Sequence, residues 1–226
     1  MLKVAFPVAV TSDVATFEIP NATIERSTGL TTPQEQAQVE VPAQRWADLS
    51  QPTHGVSLLN AAKYGYDVKG NTLRLSLLRS PVWPDPTADR GKHVIEYALY
   101  PHAKGWREAG TVRRGYELDH PLLVARTGRH AGALPAEQSF VRLAPDSLVL
   151  TSIKKAEDSA AWVVQWYDAH GDGAAATLTL PAAPARAVTS DFLEADGAPL
   201  AVEGRTVKAP TGRRATVTVK VALPPA

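Results

Sequence analysis

The run Lys63-Tyr64-Gly65-Tyr66-Asp67-Val68-Lys69-Gly70-Asn71-Thr72-Leu73-Arg74-Leu75-Ser76-Leu77-Leu78 decides the fold class of this chain. Leu73, Leu75 and Leu77 alternate with Arg74 and Ser76, the period-two pattern of a strand with one buried and one polar face. Tyr64 to Val68 supplies the partner strand. Lys69-Gly70-Asn71-Thr72 is a turn cluster whose Gly70 and Asn71 tolerate positive φ. The spacing therefore predicts a β-hairpin.

Outward from this hairpin, strand signals continue in both directions. Upstream, strands are expected over Val14–Ile19, over Val39–Val41 closed by Pro42, and over Gly55–Asn60. Downstream, His93 to Tyr100 alternates and reads as a further strand. A second group spans Leu148–Ile153, Ala161–Tyr167, Ala175–Leu180, Ala187–Leu193 and Ala215–Leu223, spaced like a small sandwich. Asp168-Ala169-His170-Gly171-Asp172-Gly173 is a strong turn inside that group. The start, Met1 to Val10, is apolar but interrupted by Pro7, and reads as the edge strand of a truncated piece rather than a signal peptide. No segment carries helical periodicity over three turns, so an all-β chain of antiparallel sheets is expected. A period-free, turn-rich stretch between Ala125 and Ser139 marks the boundary. It places a larger, supersandwich-like β-sandwich over residues 1–138 and a smaller terminal β-sandwich over 139–226.

Bulk properties narrow the function classes. Hydrophobic residues make up 44% and charged residues 21% of the 226, as in ordinary globular proteins. A net charge of +1 gives no electrostatic case for nucleic acid or a membrane surface as partner. No cysteine is present, which excludes thiolate zinc sites, disulfides and cysteine nucleophiles. No apolar run is long enough to span a bilayer, and a soluble protein is expected, cytoplasmic rather than secreted. The six histidines show no zinc-ligand spacing, and neither a phosphate loop nor a Gly-x-Ser-x-Gly elbow occurs.

Two features remain open on the residues alone. The Pro-stiffened stretch Pro81 to Gly91 projects Asp85, Asp89 and Arg90. It is either a solvated connection or a rigid loop lining a ligand cleft. Aromatic rings suit the C–H face of a sugar, but most here are expected in packing, as for Trp162 and Trp166 on one strand face. Trp83, in the Pro-rich loop, is the ring expected to be exposed.

Many short blocks in order resemble the C-terminal β-rich part of glycoside hydrolase family 38 α-mannosidases. They are Glu25-Arg26, Arg45-Trp46-Ala47-Asp48-Leu49-Ser50, the hairpin above, Pro84-Asp85-Pro86-Thr87-Ala88-Asp89-Arg90-Gly91 and Tyr97-Ala98-Leu99-Tyr100-Pro101-His102. Gly115-Tyr116-Glu117-Leu118 with Pro121-Leu122 looks like the family's next strand, and Lys154 to Asp158 like the start of its terminal sandwich. The chain departs from the family pattern at Ala61, where relatives commonly carry Asp, and at Ser27, where Pro is common.

The resemblance implies a retaining hydrolase of α-linked mannose whose carboxylate nucleophile and zinc sit in an N-terminal catalytic domain. This chain would carry no cofactor and no catalytic residue of its own. Its partners would be that catalytic domain of the same polypeptide and a mannose-containing glycan. By motif position, Asn60, Lys63, Tyr64, Asp89 and Arg90 are the implied cleft-lining or domain-interface residues. The chain alone is expected to be inactive, with its surface towards the missing domain unusually apolar. The alternative is a free-standing carbohydrate-binding or structural β-sandwich module.

Overall fold

The computed structural model describes residues 1–37 and 40–224. The chain divides into two compact units, Met1–Leu123 and Val124–Ala226.

The first unit contains β1 (Leu2–Pro7), β2 (Val14–Ile19), β3 (Ala22–Ser27), α1 (Pro33–Ala37), β4 (Val41–Pro42), β5 (Trp46–Ser50), β6 (His54–Asn60), β7 (Gly65–Lys69), β8 (Thr72–Leu78), β9 (Tyr97–Ala103) and α2 (Thr111–Asp119). Two antiparallel sheets form, ordered β1-β8-β7-β4 and β3-β2-β5-β6-β9. The hairpin is β7–β8, with Lys69 opposite Thr72. Gly70 takes φ 55°, which a Cβ would disfavour. Asn71 instead ties the turn to the end of β1, its carbonyl accepting from Val8 N at 2.9 Å and its Nδ2 donating to Val8 O at 3.0 Å. Pleat alternation sends Leu73, Leu75, Tyr66 and Val68 inward to meet Ala15, Phe17, Ala47, Leu49 and Leu58 of the other sheet. That shared apolar cluster makes the unit a sandwich. Of the expected strand at Val39–Val41, Val39 lies outside the described residues, and Val41 starts β4.

Three expectations are corrected here. The strand expected over His93–Tyr100 begins only at Tyr97 and runs to Ala103. Its partner β6 ends at Asn60, opposite Tyr97, so nothing remains for residues 93–96 to pair with. Pro101 is tolerated because β9 is the edge strand. Second, Gly115 to Leu118 lies in helix α2, not in a strand. The helix has poor formers, Thr, Val and Gly, and is held by its contacts rather than by propensity. A Cβ on Gly115 would come within 3.0 Å of Trp46 Cδ1, so glycine lets the helix lie directly on the sheet. Third, short helix α1 also escapes the all-strand reading. Thr32 Oγ1 accepts from Glu35 N at 3.1 Å and Glu35 Oε2 accepts from Thr32 N at 3.0 Å, a capping box with Pro33 in the first turn. Glu35 gains further bonds from Thr31 and Ser27, and its carboxyl is pulled down to about 2.

The second unit contains β10 (Arg142–Ala144), β11 (Leu148–Lys155), β12 (Trp162–Asp168), β13 (Ala174–Thr179), β14 (Arg186–Ser190), β15 (Asp196–Pro199), β16 (Ala201–Glu203), β17 (Thr206–Thr211) and β18 (Thr216–Ala222). Sheets β10-β13-β17-β16 and β11-β12-β18-β14-β15 enclose Trp166, Val164, Val219 and Val221 against Leu178, Val207 and Ala209. Trp166 is fully buried and its Nε1 donates to Thr211 Oγ1 at 2.9 Å, while Trp162 packs at the margin. The block Lys154 to Asp158 closes β11 and the turn after it, so the strands of this sandwich begin earlier, at Arg142. Strand β14 stops at Ser190 rather than Leu193. Asp191 Oδ1 accepts from Leu193 N and Ala195 N, both at 2.9 Å, and turns the chain. Both units are antiparallel sandwiches, and the all-β class holds with the two helices as local exceptions.

Candidate functional site

Strand β6 ends in a turn organised by Asn60, which is 1% exposed. Its Oδ1 accepts from Ala62 N at 2.9 Å and from Lys63 N. Its Nδ2 donates to Gln44 O at 3.2 Å and to Tyr66 Oη. All of Asn60's side-chain capacity is thus spent on shaping the turn, and no help from position 61 is needed. Burial raises the Tyr66 hydroxyl pKa, Asn60's bond lowers it, and the charge of Glu18 raises it again.

The turn throws Lys63 and Tyr64 outward. They border a depression of about 130 Å³ together with Asn60, Arg45 and Asp119. Tyr64 is 65% exposed and stands on a ridge, because it also borders an open trough of about 560 Å³ with Met1, Pro42, Leu77 and Leu78. Arg45 is fixed from two sides. Glu18, 1% exposed on β2, accepts from Arg45 N at 2.7 Å, from Nη2 at 2.7 Å and from Nε at 3.1 Å. The guanidinium lies 3.8 Å from the centre of the Tyr116 ring on α2, and Asp119 of the same helix approaches to 4.0 Å. The structure brings Asn60, Lys63 and Tyr64 together.

Asp89 and Arg90 are not among the residues around that depression. They sit in the exposed loop after β8, whose carboxylates hold its own backbone. Asp89, at φ 60°, accepts on Oδ2 from Ser80 N at 2.8 Å, while its carbonyl lies 2.8 Å from His93 Nε2. Asp85 Oδ1 accepts from Thr87 Oγ1 at 2.7 Å and Thr87 N at 2.8 Å, which lowers its pKa. Arg90 is exposed, with its backbone N–H on Thr87 O at 3.1 Å. Trp83 is 83% exposed, as its place in the sequence implies.

A second cluster was not singled out by motif. The outer face of the five-stranded sheet carries Asp48, Ser57 and His102 beneath helix α2. Asp48 Oδ2 accepts from Ser57 Oγ at 2.7 Å and lies 2.8 Å from His102 Nε2. Ser57 Oγ also lies 2.8 Å from Thr111 Oγ1, and Ser50 donates to Asp48 Oδ1. The residue types are those of a Ser-His-Asp triad, but Ser57 is 0% and Asp48 1% exposed. No substrate reaches the hydroxyl, so this is a fastening between strands and helix rather than a nucleophile. The available signal was a single polar residue inside each of two buried runs, Trp46 to Leu49 and Val56 to Leu59.

In the second unit, buried Asp168 closes its turn by accepting from Gly171 N at 3.1 Å, Gly173 N at 2.8 Å and Arg214 N at 3.0 Å. A groove there holds Lys220 between Asp158 at 2.9 Å and Asp196 at 3.5 Å, with its charges paired. Among the described residues no helix is long and apolar enough to cross a membrane.

Comparison with known proteins places these features. Residues 1–87 match the model of the glycosyl hydrolases family 38 C-terminal domain, and residues 147–226 match that of the family 38 C-terminal beta sandwich domain. Alpha-mannosidase 2C1 of Homo sapiens is 40% identical over 196 residues, covering 85% of this chain and 19% of the human protein. Alpha-mannosidase G of Dictyostelium discoideum is 37% identical over 158 residues, covering 70% of this chain and 14% of its own length. The chain therefore spans about a fifth or less of these curated relatives. The crystal structure of an alpha-mannosidase from Enterococcus faecalis V583 superposes with a TM-score of 0.76 at 20% identity, over 97% of this chain and 25% of that one, which shows the shared fold. With the two C-terminal domain models matched in order along it, the chain belongs to glycoside hydrolase family 38 and corresponds to the C-terminal β-domain region of its α-mannosidases.

Proposed function

We propose that this region buttresses a zinc-dependent catalytic domain of the same polypeptide and lines one wall of its cleft. The observation that carries this reading is the Asn60 turn. It is internally rigid, yet it delivers Lys63 and Tyr64 to a ridge between a polar depression and an apolar trough. A recess with charged groups suits sugar hydroxyls, and an apolar trough suits a packed neighbour. Asn60 acts by shaping the turn, Lys63 and Tyr64 by contact. In the loop after β8, Asp89 holds the backbone while Arg90 and Trp83 are presented.

The α-mannosidases of this family are generally zinc-dependent. The proposed substrate is α-linked mannose in glycans, with the zinc and the reacting carboxylates supplied by the catalytic domain. The proposed setting is a soluble, cytoplasmic enzyme. A free-standing carbohydrate-binding module is not favoured, because the match to an α-mannosidase runs through 85% of the chain.

Hydrolysis of an aryl α-mannoside with added zinc tests the reading. Turnover is expected only from a version extended upstream, and there Tyr64→Ala or Arg90→Ala should lower kcat/KM about tenfold, roughly 1.4 kcal/mol of contact. Turnover by the 226 residues alone would overturn it.

A further inference from the structure

The Asp48 cluster and the candidate depression lie at opposite ends of one short helix. At its first residue, Thr111 Oγ1 meets Ser57 Oγ at 2.8 Å, and Ser57 in turn bonds Asp48 and lies 3.2 Å from His102 Nε2. At mid-helix Gly115 lies against Trp46, where a Cβ would sit a tight 3.0 Å from Cδ1. At its last turn Tyr116 stacks on Arg45 and Asp119 borders the depression. Helix α2 has little stability of its own, so its position follows from these contacts.

We propose that the Asp48–His102–Ser57–Thr111 cluster is a proton-dependent latch on helix α2, and that its state sets how Arg45 and Asp119 are presented in the depression beside Lys63 and Tyr64. The inference rests on the reading of that depression as cleft or interface only for its biological meaning. The latch itself is a property of the first unit.

The geometry gives His102 one strong partner. Its side chain is 2% exposed, and its Nε2 faces the 1% exposed carboxylate of Asp48. A buried carboxylate stripped of its imidazolium would be an unpaired charge, a costly arrangement. Other groups facing the ring are neutral. They include Ser57 and Gly55 from β6, the Tyr100 ring of β9 at 5.4 Å, and the backbone of Ala103 and Lys104. Arg114 of α2 lies 5.8 Å from that Tyr100 ring and is paired with Glu117. Burial of His102 works against its charged form. The hydrogen bond and charge of Asp48, with the carbonyls of Ala103 and Lys104, outweigh it and raise the pKa.

The sign follows from the raised value. Imidazolium pairing contributes fully below the unfolded histidine pKa of about 6.5, and is lost as pH rises through the higher folded pKa. The latch is therefore closed in acid and loosens towards alkaline pH. Protection of α2 should fall by about tenfold for each unit separating the two pKa values.

The experiment follows the 226-residue chain, without substrate or partner, from about pH 5.5 to 9, around the histidine range. The His102 Cε1–H resonance reports its protonation. Amide exchange of Arg114 to His120, corrected for intrinsic rates, reports helix opening. One shared midpoint is expected, together with loss of that pH dependence in His102→Gln. Titration of His102 with unchanged helix protection, or helix opening with a different midpoint, would overturn the latch. So would a His102 that stays neutral across the range. If His102→Gln fails to fold, coincidence of the two midpoints in the unaltered chain decides alone. Because no hydrolysis is measured, failure here is distinct from failure of the mannosidase reading.

Discussion

Among the described residues, the polar or charged side chains buried in the larger sandwich are Thr16, Glu18, Thr28, Asp48, Ser57, Asn60, Asp67 and Thr111, whereas those buried in the smaller are Asp168, Thr211 and Thr218. The three buried carboxylates of the larger unit each meet a basic side chain from another segment. Glu18 takes Arg45, Asp48 takes His102, and Asp67 takes Lys3 at 2.7 Å and Arg74. The one buried carboxylate of the smaller unit serves backbone N–H groups of a neighbouring turn instead. The contrast teaches where each unit keeps its specificity. Ionic pairing in the larger sandwich fixes which surface groups stand beside the depression. The smaller sandwich is held by apolar packing around Trp166.

Mutations can break this contrast. The largest effect should come from Trp166→Ala, about 4 kcal/mol of destabilisation, since it opens a cavity and strands the Thr211 hydroxyl. Urea unfolding followed by hydrogen exchange should place that loss in peptides from 124–226. Next comes Glu18→Ala, about 3 kcal/mol, because Arg45 keeps its charge in a mostly buried position without its carboxylate. Its loss should register in β2, β5 and the last turn of α2. A Glu18→Ala cost at or below about 0.5 kcal/mol, the surface-substitution range, would mean that ionic pairing does not organise the larger unit. The smallest effect is expected from Tyr64→Ala, within about 0.5 kcal/mol, as the ring is exposed. A large stability loss there would recast Tyr64 as packing and remove it from the candidate site.

The sequence made some of this legible and hid the rest for a definite reason. Leu73, Leu75 and Leu77 announce their strand because their neighbours Arg74 and Ser76 do face outward. Trp83 announces its exposure because the prolines around it leave no strand to join. Asp48, Ser57 and His102 also occupy outward positions by period two, and a solvated face is the natural expectation for them. Helix α2 covers that face, so the same residues are buried and must satisfy one another. The helix could not be seen in turn, because it is short of three turns and its interior glycine is chosen by Trp46 rather than by helix propensity. Its one local signal was the spacing of Arg113 and Arg114 to Glu117, bonded at 3.0 and 2.6 Å. For the candidate site, motif position placed Asn60, Lys63 and Tyr64 side by side, while the partners Arg45 and Asp119 come from elements remote in the chain.

Among the described residues, strand β1 pairs only with β8, from Leu2 opposite Leu78 to Pro7 opposite Thr72. The ribosome makes β1 well before the strand it needs. Until Leu78 has emerged, β1 is an orphan with Val4 and Phe6 uncovered, and closing that long loop costs entropy that local hairpins avoid. That sheet therefore closes only once β8 has emerged, and a nascent chain short of that point is the one most open to exchange β1 with a neighbour's.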